Sequence, residues 1–222
     1  MTAADWTTIG QPQDIRLVVA DMDGTLLDER SRIPDGFWPM LARLKRRGVE
    51  FVPASGRQYA TLRNMFADKA AEILDGGELS YIAENGNVVA LDGKVVEVHG
   101  VDLDVTRHVI DLVDDAAASG EHNVGLVVCG LKSAYVQRSD KPFLDEVGKY
   151  YAALSIVDDL HGVTPAQTAV FGDYLNDLLM LEAGDWSFAM GNAHPDLKAA
   201  ARYIAPSNVE HGVLKVVDRL VA

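Results

Sequence analysis

The sequence is poor in cysteine. A single thiol, Cys129, leaves no partner for an internal disulfide and excludes a Cys-rich zinc site. Apolar runs are short as well, well under the roughly 18 residues that a membrane helix needs. Residues Met1 to Gln13 lack a basic region followed by an apolar one, so segment 1–13 is expected to be a flexible leader rather than a secretion signal. These absences make the cytoplasm the default location. Positive charge is scarce too: 20 Lys and Arg stand against 33 Asp and Glu, for a net charge of −13. Such a surface repels nucleic acid phosphates and anionic lipid, which argues against nucleic-acid and membrane partners. No G-x-G-x-x-G follows the first apolar run, so a dinucleotide-binding sheet is disfavoured. The six histidines are scattered without metal-ligand spacing, and there is no internal repeat.

What is present reads as strand alternating with helix. Ile15 to Ala20 is a short apolar run, expected as a buried strand. Phe37, Met40, Leu41 and Leu44 mark one helix face, and Gly48 suits the left-handed position past the helix end. Val49 to Ala54 is a second strand, Leu62, Met65 and Phe66 suggest a helix, and Tyr81 to Ala83 is a third strand. The rhythm resumes with strands at Thr168 to Phe171, Ser187 to Ala189 and Tyr203 to Ala205, and with helices at Leu175 to Glu182, from Pro195, and at Val209 to Leu220. This alternation implies an α/β fold, a doubly wound parallel sheet whose ligands bind at the carboxyl ends of the strands. Between the halves the pattern changes. Asp92-Gly93 is a hairpin signal between two short runs, followed by a helix, further strands near Val124 to Cys129 and Ala134 to Gln137, a helix near Phe143 to Tyr151, and a strand at Leu154 to Val157. Residues 87–160 therefore read as an inserted α+β cap, with residues 14–86 and 161–222 as the core. Cys129 lies in an apolar run and is expected to be a small core residue. Trp38 and Trp186 are expected to pack rather than stack on substrate.

Three segments carry chemistry. Asp21-Met22-Asp23-Gly24-Thr25 places two carboxylates just past a buried strand, where neither can stay as an unpaired charge inside the sheet. An acidic turn would explain it; so would a carboxylate nucleophile toward phosphorus with a second carboxyl to move protons. Gly172-Asp173-Tyr174-Leu175-Asn176-Asp177 also follows an apolar strand. Asp173 could be a helix cap and Asp177 a solvated first-turn charge. Two acidic strand ends facing one crevice would otherwise need a cation between them, and Mg2+ takes one or two carboxylates together with water and phosphate oxygen. Ala54-Ser55-Gly56-Arg57 offers a hydroxyl, a glycine N–H and a helix N-terminus, an anion site or simply a capping serine beside an exposed arginine.

Taken together, these segments resemble the haloacid dehalogenase-like (HAD) phosphatase superfamily. Residues Asp21 to Leu27 match its first motif, Ser55-Gly56-Arg57 its second, and Gly172 to Leu181 its fourth. Glu84-Asn85-Gly86, Ala189 to Ala193 and Val209 to Val213 resemble the Cof-type sugar-phosphatase branch. The resemblance implies roles. Asp21 would be nucleophile and metal ligand; Asp23 would be the general acid/base and give the metal its backbone carbonyl; Asp173 would be the acidic metal ligand. Thr25, Ser55, Gly56 and Asn176 would serve the phosphate, with Asp177, Asn85 and Arg57 supporting. Mg2+ would be the cofactor and a small phosphorylated metabolite the partner.

One part of that pattern is missing. The superfamily's third motif is a lysine opening a helix before the strand that leads to the fourth. Here Ile156 to Leu160 runs almost directly into His161, and no lysine lies between Lys149 and Asp173. Either an internal segment is absent, shortening the cap and taking the lysine with it, or Lys141 or Lys149 reaches in from the cap. The first is ahead, because helix and lysine are missing together. Loss of a positioned charge of this kind costs about 2.7–4 kcal/mol of transition-state stabilisation. Three functions stand in competition: an active phosphatase on sugar phosphates or similar esters, a catalytically impaired metal- and phosphate-binding relative, and a phosphosugar mutase.

Overall fold

The computed structural model describes residues 3–10, 12–120, 123–131, 134–136 and 163–221. The expected helix near Phe143 to Tyr151, the strand at Leu154 to Val157, Lys141 and Lys149 lie outside the described residues.

Eleven strands are described: β1 (Ala4–Asp5), β2 (Leu17–Asp21), β3 (Glu50–Ala54), β4 (Tyr81–Ala83), β5 (Val88–Leu91), β6 (Lys94–Val98), β7 (Val127–Cys129), β8 (Ala134–Val136), β9 (Thr168–Gly172), β10 (Trp186–Ala189) and β11 (Tyr203–Ile204). Nine of them form one sheet in the order β1-β11-β10-β9-β2-β3-β4-β5-β6. From β1 to β4 every pairing is parallel, as the apolar runs imply. Every residue of β2 and β9 is buried, the pattern of strands covered on both faces.

The strand order reverses at β2. The chain proceeds outward through β3 and β4, returns, and proceeds the other way through β9, β10 and β11. Right-handed crossovers taken in opposite directions place α1 (Phe37–Arg46) and α2 (Tyr59–Ile73) on one face, and the short α4 (Leu178–Glu182) and α5 (Pro195–Ala200) on the other. Phe37, Met40, Leu41 and Leu44 are the buried face of α1, and Gly48 takes the left-handed conformation beyond it at φ +66°. Phe37, Trp38, Phe51 and Phe66 pack edge to face, with Tyr81 tilted against Phe66, and fill one layer. Phe171, Phe188, Tyr203 and Trp186 stack along the other half of the sheet, and the indole N–H donates to the Ala166 carbonyl. The closing helix α6 (Gly212–Leu220) buries Val213, Val216, Val217 and Leu220.

Two boundaries differ from the sequence expectation. The first segment is not a free leader over its described residues. Ala4 and Asp5 pair with Tyr203 and Ile204, Ile9 is buried, and Arg219 donates to the Thr7 and Ile9 carbonyls while lying over the Trp6 ring. The β11 edge offers unpaired backbone groups, and even a two-residue strand can satisfy them. The hairpin is also placed differently. It forms as expected, with Asp92 and Gly93 both at positive φ, but β5 pairs antiparallel with β4 and so extends the core sheet. The described part of the inserted unit is α3 (Leu103–Ala118) with the antiparallel pair β7 and β8. Cys129, expected in the core, is exposed at the end of β7. Among the described residues, no helix is long and apolar enough to cross a membrane.

Candidate active site

The reversal point sets β2 between β3 and β9, so the three chemistry-bearing segments leave neighbouring strands at the same end. Asp21 is level with Ala54, and Ala20 with Phe171. Asp21, Asp23, Ser55 and Asp173 are thus brought to one crevice although they span more than half the chain.

Asp21 is the last residue of its strand and almost fully buried. Each of Asp21, Asp173 and Asp177 offers a carboxylate oxygen within 4.8 Å of the others. Burial first, and then the charges of Asp177 and Asp173, push the Asp21 carboxyl well above the usual carboxylate range. Burial first, and then the charges of Asp177 and Asp23, raise Asp173 to about 7. Burial raises Asp177 to about 6, against the backbone N–H bonds that favour its charge. The Oδ1 atom of Asp21 is shut off from solvent with no hydrogen-bond partner among the described residues. A buried, unpartnered carboxylate oxygen beside two further carboxyls is the donor set that a hard divalent cation fits.

Glycines allow the close approach. Gly24 sits at φ +78°, and a Cβ there would lie 2.2 Å from Asp173 Oδ2. At Gly172 a Cβ would lie 2.6 Å from that of Asp177. Asp177 is the buried strut of the second loop: its carboxylate accepts from the backbone N–H groups of Asp173 (2.9 Å) and Tyr174 (3.2 Å) and from the Asn176 amide (3.0 Å). It is not a solvated first-turn charge: it is fully buried, and its place beside Asp21 and Asp173 makes it part of the acidic cluster. Asn176 lies beside Asp177 and donates its amide to that carboxylate. Thr25 is also turned inward: its hydroxyl is closed to solvent and lies beside Asp173.

Asp23 points elsewhere. Its two carboxylate oxygens accept from Arg57 Nε at 2.9 Å and Nη2 at 2.7 Å, a two-point ion pair. Arg57 is mostly buried, so the simple picture of an exposed arginine beside a capping serine fails; the helix begins two residues later, at Tyr59. The Ser55 hydroxyl accepts from the Arg57 backbone N–H at 3.2 Å, and the Arg57 carbonyl accepts from Glu84 at 3.2 Å. These bonds tie the ends of β3 and β4 together. Asn85 follows in the left-handed conformation at φ +57°. Gly56, Glu84 and Asn85 also line a cavity of about 720 Å3 together with Leu103, Val109 and Val128 of the inserted unit.

Two residues outside the expected set hold the loop that follows Asp21. Asn192 donates to the Gly24 carbonyl at 2.8 Å, and Asn208 donates to the Leu27 carbonyl at 3.0 Å. Asn208 N–H also donates to Asn192 Oδ1 at 3.1 Å, so the two act as a linked brace. The Ala189 to Ala193 and Val209 to Val213 segments were legible as a family-like tail, which is the signal that could have pointed to them.

Comparison with known proteins agrees with this fold. The family model described as haloacid dehalogenase-like hydrolase matches residues 18–161 and 145–217, two overlapping stretches that together take in most of the chain. The 5-amino-6-(5-phospho-D-ribitylamino)uracil phosphatase of Escherichia coli is 27% identical over 272 aligned positions, covering 93% of this chain and 96% of that protein. That alignment is longer than the 222-residue chain, so the bacterial protein has residues with no counterpart here. A phosphoglycolate phosphatase of Methanothrix thermoacetophila is 24% identical over 228 positions, covering 94% and 98% of the two chains. In structure, a haloacid dehalogenase-like hydrolase from Bacteroides thetaiotaomicron superposes with a TM-score of 0.76 at 18% identity, covering 92% of this chain and 99% of that one.

Proposed function

The chain belongs to the haloacid dehalogenase-like hydrolase family, and from that premise we propose that it is a cytoplasmic, magnesium-dependent phosphatase of small phosphate monoesters, sugar or polyol phosphates among them, with Asp21 as nucleophile. The observation that carries the reading is the convergence of Asp21, Asp173 and the Ser55-Gly56 turn at the ends of three adjacent strands. The relatives named as phosphatases of a ribityl phosphate and of phosphoglycolate support the substrate class.

The residues divide the work as follows. Asp21, Asp173 and the Asp23 backbone carbonyl would hold Mg2+, with Asp177 behind them. When bound, the ion offsets the repulsion between a carboxylate nucleophile and an anionic ester. The Ser55 hydroxyl and Gly56 N–H hold the transferring phosphoryl group beside Asp21. A carboxylate oxygen of Asp21 attacks phosphorus, the bond from phosphorus to the ester oxygen breaks, and Asp23, which must leave Arg57 and take up a proton before this step, gives that proton to the departing alkoxide. Water then attacks the phosphorus of the aspartyl phosphate and passes a proton to Asp23, which frees phosphate and restores the Asp21 carboxylate. The Asn192–Asn208 brace keeps the loop between the two aspartates in place during both steps.

A second reading has its own supporting observation, the absence of lysine between Lys149 and Asp173. On that reading the chain binds cation and phosphate but turns over esters feebly. Phosphate release from p-nitrophenyl phosphate and a panel of sugar phosphates, measured with Mg2+ and with EDTA, separates the two. Release that requires Mg2+ supports the enzyme. Folded protein that binds phosphate and Mg2+ but releases nothing supports the second reading.

A further inference from the structure

We propose that the cavity between the Ser55-Gly56 turn and the inserted unit holds the alcohol part of the ester, and that it selects an uncharged, largely apolar alcohol over a bare sugar or an alcohol bearing a second anion. This rests on the phosphatase reading above and narrows its substrate class.

The cavity begins at the turn that follows β3. Gly56 lines it, and so does Asn85 just past β4. An ester held at Gly56 has this space next to it for its alcohol. The walls are tied together: Gln58 Nε2 donates to the Gly130 carbonyl at 2.7 Å, and the Cys129 thiol bonds to the Glu84 carboxylate. The volume of about 720 Å3 falls in the range of sites that bury a whole organic ligand, and exceeds what a two-carbon alcohol fills.

The lining decides the class. Val98, Val101, Leu103, Val109, Val128 and Leu131 give it apolar walls. Val101 and Leu103 are 72% and 69% exposed, apolar surface that a bound alcohol would cover. The polar side chains of the lining are largely engaged already. The Asn87 amide donates to the Glu84 carbonyl at 2.8 Å, and the Thr106 hydroxyl to the Asp102 carbonyl at 3.0 Å. The His99 ring bonds to Glu97 at 2.6 Å, and the Glu84 carboxylate accepts from the Tyr59 N–H at 3.2 Å. A sugar buried here would lose water at each hydroxyl and recover few bonds, which costs free energy for every group left unpaired. An apolar body gains in proportion to the area it buries. Among the described lining residues there is no lysine or arginine, and Glu84 is present, so a second anion would meet a like charge without a cation to offset it.

The test compares 2-phenylethyl phosphate, glucose 6-phosphate and phosphoglycolate, each of which leaves as a primary alkoxide, so that differences report the alcohol pocket. Calorimetry on Asp21→Asn with Mg2+ reads affinity without turnover, and phosphate release by wild type reads reaction. The expected result is that 2-phenylethyl phosphate binds at least about tenfold more tightly than either of the others, with kcat/KM in the same order. Where Asp21→Asn binds too weakly to measure, the kcat/KM order decides. Equal values, or a preference for glucose 6-phosphate or phosphoglycolate, would overturn the inference. Leu103→Lys, at an exposed position, should shrink the preference for 2-phenylethyl phosphate over phosphoglycolate by about tenfold. An unchanged ratio would take the cavity out of recognition. If that variant does not fold, Val101→Lys, at the still more exposed position, carries the same test. No release by wild type with the order of affinities intact overturns the phosphatase reading and leaves the cavity as a binding site for such esters. Absence of both binding and release for all of them overturns the two together.

Discussion

Gly24 and Asp173 meet backbone to carboxylate: a Cβ on Gly24 would fall 2.2 Å from Asp173 Oδ2. The first and fourth motifs are therefore interlocked, and the turn after Asp21 has its shape only because residue 24 has no side chain. Gly24→Ala should strain the left-handed backbone by about 1–2 kcal/mol. It should also push Asp173 out of the acidic cluster. Weaker Mg2+ binding by calorimetry, with the sheet intact by circular dichroism, is the expected outcome.

Asp173→Ala removes a carboxylate from the cluster without touching the core. Mg2+ affinity and the Mg2+ dependence of turnover should both fall. Unchanged magnesium dependence would remove Asp173 from the proposed metal set.

The acidic cluster makes stability depend on pH in a definite direction. Asp173 and Asp177 titrate near 7 and 6 in the folded protein, above the ordinary value of 3.8. Between those limits the native state binds more protons than the unfolded chain, so without metal its stability falls as pH rises from about 4 to 7. Mg2+ competes with those protons, so the stabilisation it gives should grow over the same interval. Melting curves in EDTA and in Mg2+ across this range check both slopes; metal-free stability that rises with pH there would contradict the cluster.

Ser55→Ala removes the hydroxyl proposed to hold the phosphoryl group while leaving a buried β3 end. Turnover should fall by about 10²-fold, with little change in melting temperature. Phe171→Ala should do the reverse. Phe171 is fully buried and stacks on Phe188 at 4.7 Å, so its loss should cost about 3–5 kcal/mol of stability by denaturant unfolding.

Much of this architecture was written in short-range signals. Apolar runs ending in Asp21, Ser55 and Asp173 announced both the strands and the end of the sheet at which these residues converge. Asp92-Gly93 announced a hairpin. The unit that the hairpin joins was not legible, because pairing of β5 with β4 is made by backbone groups and leaves no mark in composition. The same is true of Ala4–Asp5 on the edge of β11. The grip of Arg57 on Asp23 spans 34 positions, and the reach of Asn208 to Leu27 spans 181. Contacts so far apart depend on strand order, which periodicity does not specify. Asp177 read equally well as a first-turn charge, and only its burial beneath Asp173 distinguishes the two.

The most direct test of the central claim is turnover of p-nitrophenyl phosphate by Asp21→Asn beside wild type, under saturating Mg2+ and with both proteins shown to be folded. The account predicts a fall of at least about 10⁴-fold, because the amide cannot form the aspartyl phosphate. Turnover that survives the substitution would contradict it and move the nucleophile elsewhere.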